Sequence, residues 1–150
     1  MEYIRRKGDI FAHAKKSYEA GYYIEALQIV HGCLEAAMRD LIMVSNGPDE
    51  EKGYSEIWDI AQELTLNVLL KTLFISNKIS KSEYVKIKEF NRIRNNIIHK
   101  YFWEPNSKDY EGIPKEEYDI AFNDGLELIE VIYEKGAEEN YKRWNKDNSV

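Results

Sequence analysis

The apolar residues along this chain follow a helical pattern. They recur at intervals of three and four residues, and no segment shows the strict alternation of a half-buried strand. The clearest stripe predicts a helix from about Tyr22 to Val44, and small residues widen its apolar surface so far that it should lie centrally in a bundle. The same pattern predicts a first helix from roughly Tyr3 to Ala20 and a long last helix from Lys115 to about Asn145.

Turn and cap signals divide the middle of the chain. Two short helices are predicted at about Glu56–Leu64 and Leu66–Ser76. Ser80 and Glu83 have the spacing of a capping box, which should open a helix from Lys81 to near Tyr101. We therefore expect an all-α, antiparallel bundle of about five helices. The length of 150 residues fits a single domain over residues 1–150.

Composition narrows the classes of protein to consider. No run of 18 apolar residues occurs, so no membrane span is expected. The N-terminus lacks the apolar stretch of a signal peptide. Cys33 is the only cysteine and cannot form an internal disulfide. Together these features predict a cytosolic, cytoplasmic protein.

The net charge of −6 argues against a general nucleic-acid binder, but the charge is unevenly distributed. Residues 71–100 hold eight basic and two acidic residues, whereas the other 120 residues hold 13 basic and 25 acidic ones. The positive charge therefore surrounds a polar run from Arg94 to Tyr101. A solvated helix face and a surface for a polyanion are both open interpretations of this segment.

Arg94 falls within the apolar stripe of the predicted helix Lys81–Tyr101, at about 100° per residue. The stripe comprises Ile87, Phe90, Ile93, Ile97, Ile98 and Tyr101. An unpaired buried guanidinium is too costly, so Arg94 must meet an anion, such as an acid of a neighbouring helix, or line a polar cleft. His99 points about 140° away from Arg94, whereas Arg92 shares a face with His99. For Arg94 and His99 to act on one phosphate, the helix must distort near Ile97 or a second subunit must complete the site.

The run Arg94-Asn95 followed by His99, in the penultimate helix of a small bundle, resembles the HEPN superfamily signature. That signature is Arg, four to six residues, then His. Residues 19–27 also resemble the HEPN hairpin between the first two helices. The resemblance implies a HEPN-like fold and, as in many members, a metal-independent endoribonuclease that works as a homodimer. It implies His99 as acid/base, Arg94 as phosphate clamp and Asn95 as orienting residue, although Arg92 also satisfies the spacing.

The implied chemistry suits these side chains. RNA carries its own nucleophile, the 2′-hydroxyl group. Histidine titrates near neutral pH and can remove that proton, while arginine offers a planar, permanently charged fork to the phosphate. No metal or cofactor is expected. The residues expected to bind RNA phosphates are Arg92, Asn96, Lys100 and Lys88.

Tyr101 extends the motif to Arg-x4-His-x-Tyr, which resembles HEPN toxins encoded beside a minimal nucleotidyltransferase antitoxin. In those pairs the partner silences the toxin by adenylylating the tyrosine. This resemblance implies a toxin or defence component with Tyr101 as its modification site, although Tyr101 also fits a buried stripe position. The competing hypothesis is a non-catalytic HEPN module that binds a nucleotide or a protein partner. A third hypothesis is an antitoxin-like regulator that does not contact RNA.

Other residues carry weaker signals. His31 and Glu35 are spaced i, i+4 and could share a metal, but no third ligand is visible, and a core histidine or surface pair is the simpler interpretation. Trp58, Trp103 and Trp144 could stack on bases, with Trp103 as the wall of a cleft beside the motif.

Overall fold

The computed structural model describes residues 3, 8–47, 53–101 and 112–147 of the chain. These residues form six α-helices and contain no strand, which confirms the predicted all-α class, with six helices where about five were expected. No helix formed by them is long and apolar enough to cross a membrane. The helices are α1 (Ile10–Glu19), α2 (Tyr23–Ser45), α3 (Tyr54–Glu63), α4 (Leu66–Ile75), α5 (Lys81–Tyr101) and α6 (Lys115–Asp147).

The first helix begins later than the expected start near Tyr3. The Asp9 carboxylate accepts hydrogen bonds from the backbone N–H groups of Phe11 and Ala12, so it caps α1 at Ile10. Gly8, just before the cap, has a φ of 84°, a value that interrupts a right-handed helix. Residues 4–7 of the predicted helix lie outside the described residues.

Helix α5 begins and ends where its sequence signals predict. The Ser80 backbone N–H donates to Glu83 Oε2 at 2.6 Å, and the Glu83 N–H donates to Ser80 Oγ at 3.2 Å. This reciprocal pair is the predicted capping box. From Lys81 to Tyr101 every residue is α-helical, so the helix has no break or bulge near Ile97.

Helix α2 is the centre of the bundle and packs against α1, α3, α4, α5 and α6. It runs parallel to α6. At the start of both helices, the Tyr118 hydroxyl donates to the Tyr23 carbonyl, and near their ends Arg143 Nη1 donates to the Val44 carbonyl at 3.5 Å. The prediction of an antiparallel bundle is therefore wrong for this pair.

Helix α5 runs back along the bundle and lies antiparallel to α6, as predicted for neighbours in sequence. Lys100 at the end of α5 is 3.8 Å from Glu117 at the start of α6. Glu83 in the first turn of α5 is 3.1 Å from Lys135, farther along α6. Because α5 reverses the chain between them, α6 regains the direction of α2.

Helix α6 packs closely against α2 and α5 at Gly125, which is buried. A Cβ added there would lie 2.7 Å from Phe90 Cε2 on α5 and closer still to Val30 Cγ1 on α2. Both neighbours are almost completely buried. The missing side chain therefore lets α6 pack closely against both α2 and α5.

Candidate functional site

One exposed side of α5 carries most of the residues predicted for RNA cleavage. On a regular helix, Lys88, Arg92, Asn96, His99 and Lys100 fall within an arc of about 120°, and we call this surface the His99 face. All five are exposed except Lys100, which is half-buried. A groove between α5 and α6 runs beside this face, and its α5 wall includes Arg92, Asn96 and Lys100. The helix thus brings the predicted acid/base together with the predicted phosphate ligands.

Carboxylates compensate two of the three cationic side chains of the His99 face. Arg92 donates to Glu89 through Nε at 2.8 Å and through Nη2 at 2.6 Å. These bonds raise the pKa of Arg92 and lower the pKa of Glu89. Lys100 Nζ lies 3.8 Å from Glu117 across the groove. Exposed ion pairs of this kind contribute little to stability, so a phosphate could replace either carboxylate.

Acidic residues of α6 also pair with two further lysines of the basic segment. Lys78 Nζ is 2.9 Å from Glu139, and Lys86 Nζ is 3.6 Å from Glu127. With the pairs of Arg92 and Lys100, four of the eight basic residues between 71 and 100 face a carboxylate. The net positive charge on this surface is therefore smaller than the sequence of the segment suggests.

Arg94 lies on the opposite side of α5, half-buried and directed at α2. Its Nη1 donates to Asn95 Oδ1 at 2.9 Å, and its Nη2 donates to Gln28 Oε1. Its Nε is buried and has no hydrogen-bond partner within the described part of the chain. Burial lowers the pKa of Arg94, and the charge of Glu35 opposes this effect. Arg94 therefore meets neutral amides, and among the described residues no acid forms an ion pair with it.

The structure does not bring Arg94 and His99 together within one copy. The helix between them is regular, so their side chains diverge by about 140°. Among the described residues, none hydrogen-bonds to the His99 imidazole. Of the arrangements expected from the sequence, a distorted helix is wrong. Completion by a second subunit, or the use of Arg92 in place of Arg94, stays open.

The polar residues of α2 on the side that Arg94 faces could not be identified as a group from the sequence. Gln28, His31 and Glu35 follow one another at helical spacing and share one face of α2. His31 is half-buried, and its pKa is lowered first by burial and then by the charge of Arg94, while Glu35 opposes the shift. The polar spacing on an apolar helix was a visible signal, but nothing in the sequence indicated that α5 would face it. No three metal-ligating side chains are grouped for an ion within the described ranges, so His31 and Glu35 have no third ligand there.

Farther along the same face of α2, Glu35 and Arg39 hold the junction between α3 and α4. Glu35 Oε1 accepts a hydrogen bond from the backbone N–H of Leu66, the first residue of α4, at 2.9 Å. Arg39 donates to the carbonyls of Ala61 and Leu64 at 3.1 and 3.2 Å, at the end of α3. The two charged groups lie 3.5 Å apart. Their charges are thus compensated by each other and by the helix ends.

Tyr101, the predicted modification site, is 53 % exposed, although it was expected to fit a buried stripe position. It lines a pocket with Tyr22, Tyr23, Lys115 and Tyr118, where the hairpin between α1 and α2 meets the start of α6. Ile97, one turn earlier on the same stripe, is fully buried, so the burial of the stripe ends before Tyr101. The side chain is therefore accessible in this chain.

The aromatic residues considered for base stacking lie on different elements. Trp58 belongs to α3 and is 41 % exposed, and Trp144 lies near the end of α6 and is 69 % exposed. Trp103, the predicted cleft wall, lies outside the described residues. His13, the one remaining histidine of the chain, is exposed on α1.

Comparison of this chain with protein-family models, with curated proteins and with solved structures gave no match.

Proposed function

We propose that this chain is a HEPN-type, metal-independent endoribonuclease that acts as a homodimer and serves as a toxin or defence component. The observation that carries the proposal is the uninterrupted α5, which places His99 on one exposed face with Arg92, Asn96 and Lys100. A polynucleotide lying in the adjacent groove would meet two cationic side chains, an amide and an imidazole. These groups can hold a phosphate and move a proton beside it.

The proposed reaction is attack by the 2′-hydroxyl of RNA on its own adjacent phosphorus. His99 accepts the proton of this hydroxyl as the oxygen–phosphorus bond forms. Arg92 neutralises the charge that develops on the phosphoryl oxygens. The bond to the 5′-oxygen breaks, and this oxygen takes a proton from a water molecule, while His99 returns its proton to the solvent. The products are a 2′,3′-cyclic phosphate end and a 5′-hydroxyl end.

In this proposal, Arg94 of one copy contributes to the active site that contains His99 of a second copy. Its guanidinium faces Gln28 on α2, on the side of α5 away from His99. In a two-fold dimer, the Arg94 side of one copy can face the His99 side of the other, and each active site then contains residues from both copies. The divergence of the two side chains on a regular helix therefore supports the homodimer.

The exposed Tyr101 supports the proposed regulation by a nucleotidyltransferase antitoxin. Tyr101 follows His99 by two residues at the exposed end of α5. An adenylyl group on its hydroxyl would place bulk and a negative charge near the face that is to bind RNA, and this charge would repel the RNA backbone. Adenylylation is then expected to abolish cleavage while leaving the fold intact.

The cleavage test uses purified protein, a single-stranded RNA and excess EDTA. Wild-type protein should leave cyclic phosphate ends and should not cut DNA of the same sequence, because DNA lacks the 2′-hydroxyl group. His99→Ala should reduce the rate by roughly 10²–10⁴-fold. His13→Ala, which removes an exposed histidine of α1, is the matched control and should cleave normally. Equal cleavage by wild-type and His99→Ala proteins would sink the assignment of His99 as acid/base.

The dimer test mixes two inactive variants. Arg94→Gln and His99→Ala proteins are unfolded together and refolded in equal amounts. If each site combines Arg94 of one copy with His99 of the other, mixed dimers retain one intact site, and about a quarter of the wild-type activity should return. No return of activity, with dimers shown by light scattering, would refute a site shared between copies. An Arg94→Gln protein that cleaves RNA as fast as the wild type would instead favour Arg92 as the only clamp.

The second candidate function is a non-catalytic HEPN module that binds a nucleotide or a protein partner. The ion pairs that α6 forms with the basic segment favour it, because they reduce the charge available to RNA. Protein shown by mass spectrometry to be unmodified at Tyr101, and unable to cut any of a panel of RNAs, would support this module over the nuclease.

A further inference from the structure

A half-buried cation between α2 and α5 is held only by neutral groups. Arg94 donates to the amide oxygens of Gln28 and Asn95. The acid whose charge reaches it, Glu35, is already bound to Arg39 and to the first backbone N–H of α4. The guanidinium charge is therefore not compensated by a carboxylate within the described residues. A charged acceptor would form stronger hydrogen bonds with it than the two amides do.

His31 lies beside this cation. It follows Gln28 by three residues on α2, so their Cβ atoms are about 5–6 Å apart. Burial lowers the pKa of His31, and the charge of Arg94 lowers it further. At neutral pH the imidazole therefore carries one N–H donor and one acceptor. Among the described residues, none takes up either.

We infer that Arg94, Gln28 and His31 form a binding site for a phosphate group between α2 and α5 of a single copy. The phosphate oxygens would replace the amide acceptors on the Arg94 fork, and the His31 N–H and the Gln28 amide N–H would donate to the same group. This site is separate from the His99 face, which lies on the other side of α5. The identification of the ligand as an RNA phosphodiester rests on the proposed function, and a phosphate monoester has the same chemistry.

Local charge and accessibility support an anion at this position. Of the charged groups that face His31, Arg94 and Arg39 are positive and Glu35 is negative, so the cluster carries a net positive charge. Gln28 is exposed and His31 is half-buried, so a ligand can reach the site from solvent. In the proposed dimer the site would hold a phosphate of the strand whose scissile bond meets His99 of the partner copy.

The test follows the imidazole signals of the three histidines by NMR, each assigned with its own His→Gln variant. The probes are inorganic phosphate and a short DNA oligonucleotide, in a buffer without phosphate and at low salt. Both probes resist cleavage, so the measurement does not depend on nuclease activity. The His31 signal should shift with a saturating dependence on the probe, and the pKa of His31 should rise because an anion favours the charged imidazole. The His13 signal should not move.

Gln28→Glu is the variant that separates binding from folding. A glutamate at this position would pair with Arg94, keep the fold and compete with the phosphate for the guanidinium. The variant should bind both probes at least about tenfold more weakly, which corresponds to the loss of roughly one charge-assisted hydrogen bond. Glu25→Gln, which changes an exposed residue one turn earlier on α2, is the matched control and should bind both probes as the wild type does.

The outcomes distinguish this inference from the nuclease proposal. A His31 shift with DNA but not with inorganic phosphate would support a diester ligand, and the reverse would support a phosphate monoester. If neither probe moves the His31 signal, or if Gln28→Glu binds both probes as well as the wild type does, the proposed phosphate site is refuted, even when the protein cuts RNA. If phosphate binds as described but no RNA is cut, the site stands and the nuclease proposal fails.

Discussion

The substitution Gly125→Ala tests how closely α6 packs against α2 and α5. In Gly125→Ala, the new Cβ would lie 2.7 and 3.2 Å from Phe90 Cε2 and Cζ, and it would also overlap Val30 Cγ1. Phe90 and Val30 are 2 % and 1 % exposed, so neither side chain can turn into solvent. To relieve the overlap, α6 must move away from α2 or α5.

Two effects of opposite sign set the expected change in the free energy of unfolding for Gly125→Ala. Replacing glycine by alanine within a helix stabilises it by about 1 kcal/mol. Overpacking a close-packed core costs about 1–3 kcal/mol, and overlap with two immobile side chains places Gly125→Ala at the upper end of that range. The net expectation is a loss of about 1–2 kcal/mol. For a chain of this size that loss lowers Tm by about 2–8 °C.

The assay is urea unfolding followed by far-UV circular dichroism. Gly136→Ala is the matched control, because it lies in the same helix and a Cβ there has no atom within 4 Å. It should be more stable than the wild type by about 0.5–1 kcal/mol. If Gly125→Ala proves as stable as Gly136→Ala, the helices do not cross as closely as described.

Three further predictions concern polar groups of the bundle. Arg39→Ala should lower the free energy of unfolding by about 1–3 kcal/mol, since it removes the donor to the Leu64 carbonyl, one donor to the Ala61 carbonyl and the charge paired with Glu35. Tyr118→Phe should cost about 1 kcal/mol by removing the bond to the Tyr23 carbonyl, whereas the exposed Tyr133→Phe should change stability by less than about 0.5 kcal/mol. Because the pKa of His31 is lowered in the folded state from its ordinary value of 6.5, the unfolded chain binds that proton more tightly. Stability should therefore fall as the pH drops through that value, and His31→Gln should reduce this dependence in urea titrations between about pH 8 and pH 5.

The local signals in the sequence were sufficient for most of the secondary structure. The capping box at Ser80 and Glu83 predicts the start of α5, and the structure begins that helix at Lys81. Hydrogen bonds and side-chain periodicity act over a few residues, so they can be recognised without knowing the fold. The start of α1 was missed because the Asp9 cap and the left-handed Gly8 outweigh the apolar spacing before them. The grouping of Arg92, Asn96 and His99 on one face follows from helix geometry alone and could also be predicted.

Only the tertiary structure decided what each face of α5 meets. Arg94 and Gln28 are 66 positions apart in the chain, and they meet because α5 packs antiparallel to α2. The sequence pattern also did not show that acids of α6 would pair with Lys78 and Lys86, or that α2 and α6 would run parallel. Such contacts depend on the directions and distances of whole helices, which core packing sets through close approaches such as the one at Gly125. Sequence alone therefore determined the helices and their polar faces, and packing decided that a histidine of α2 lies beside the arginine of the motif.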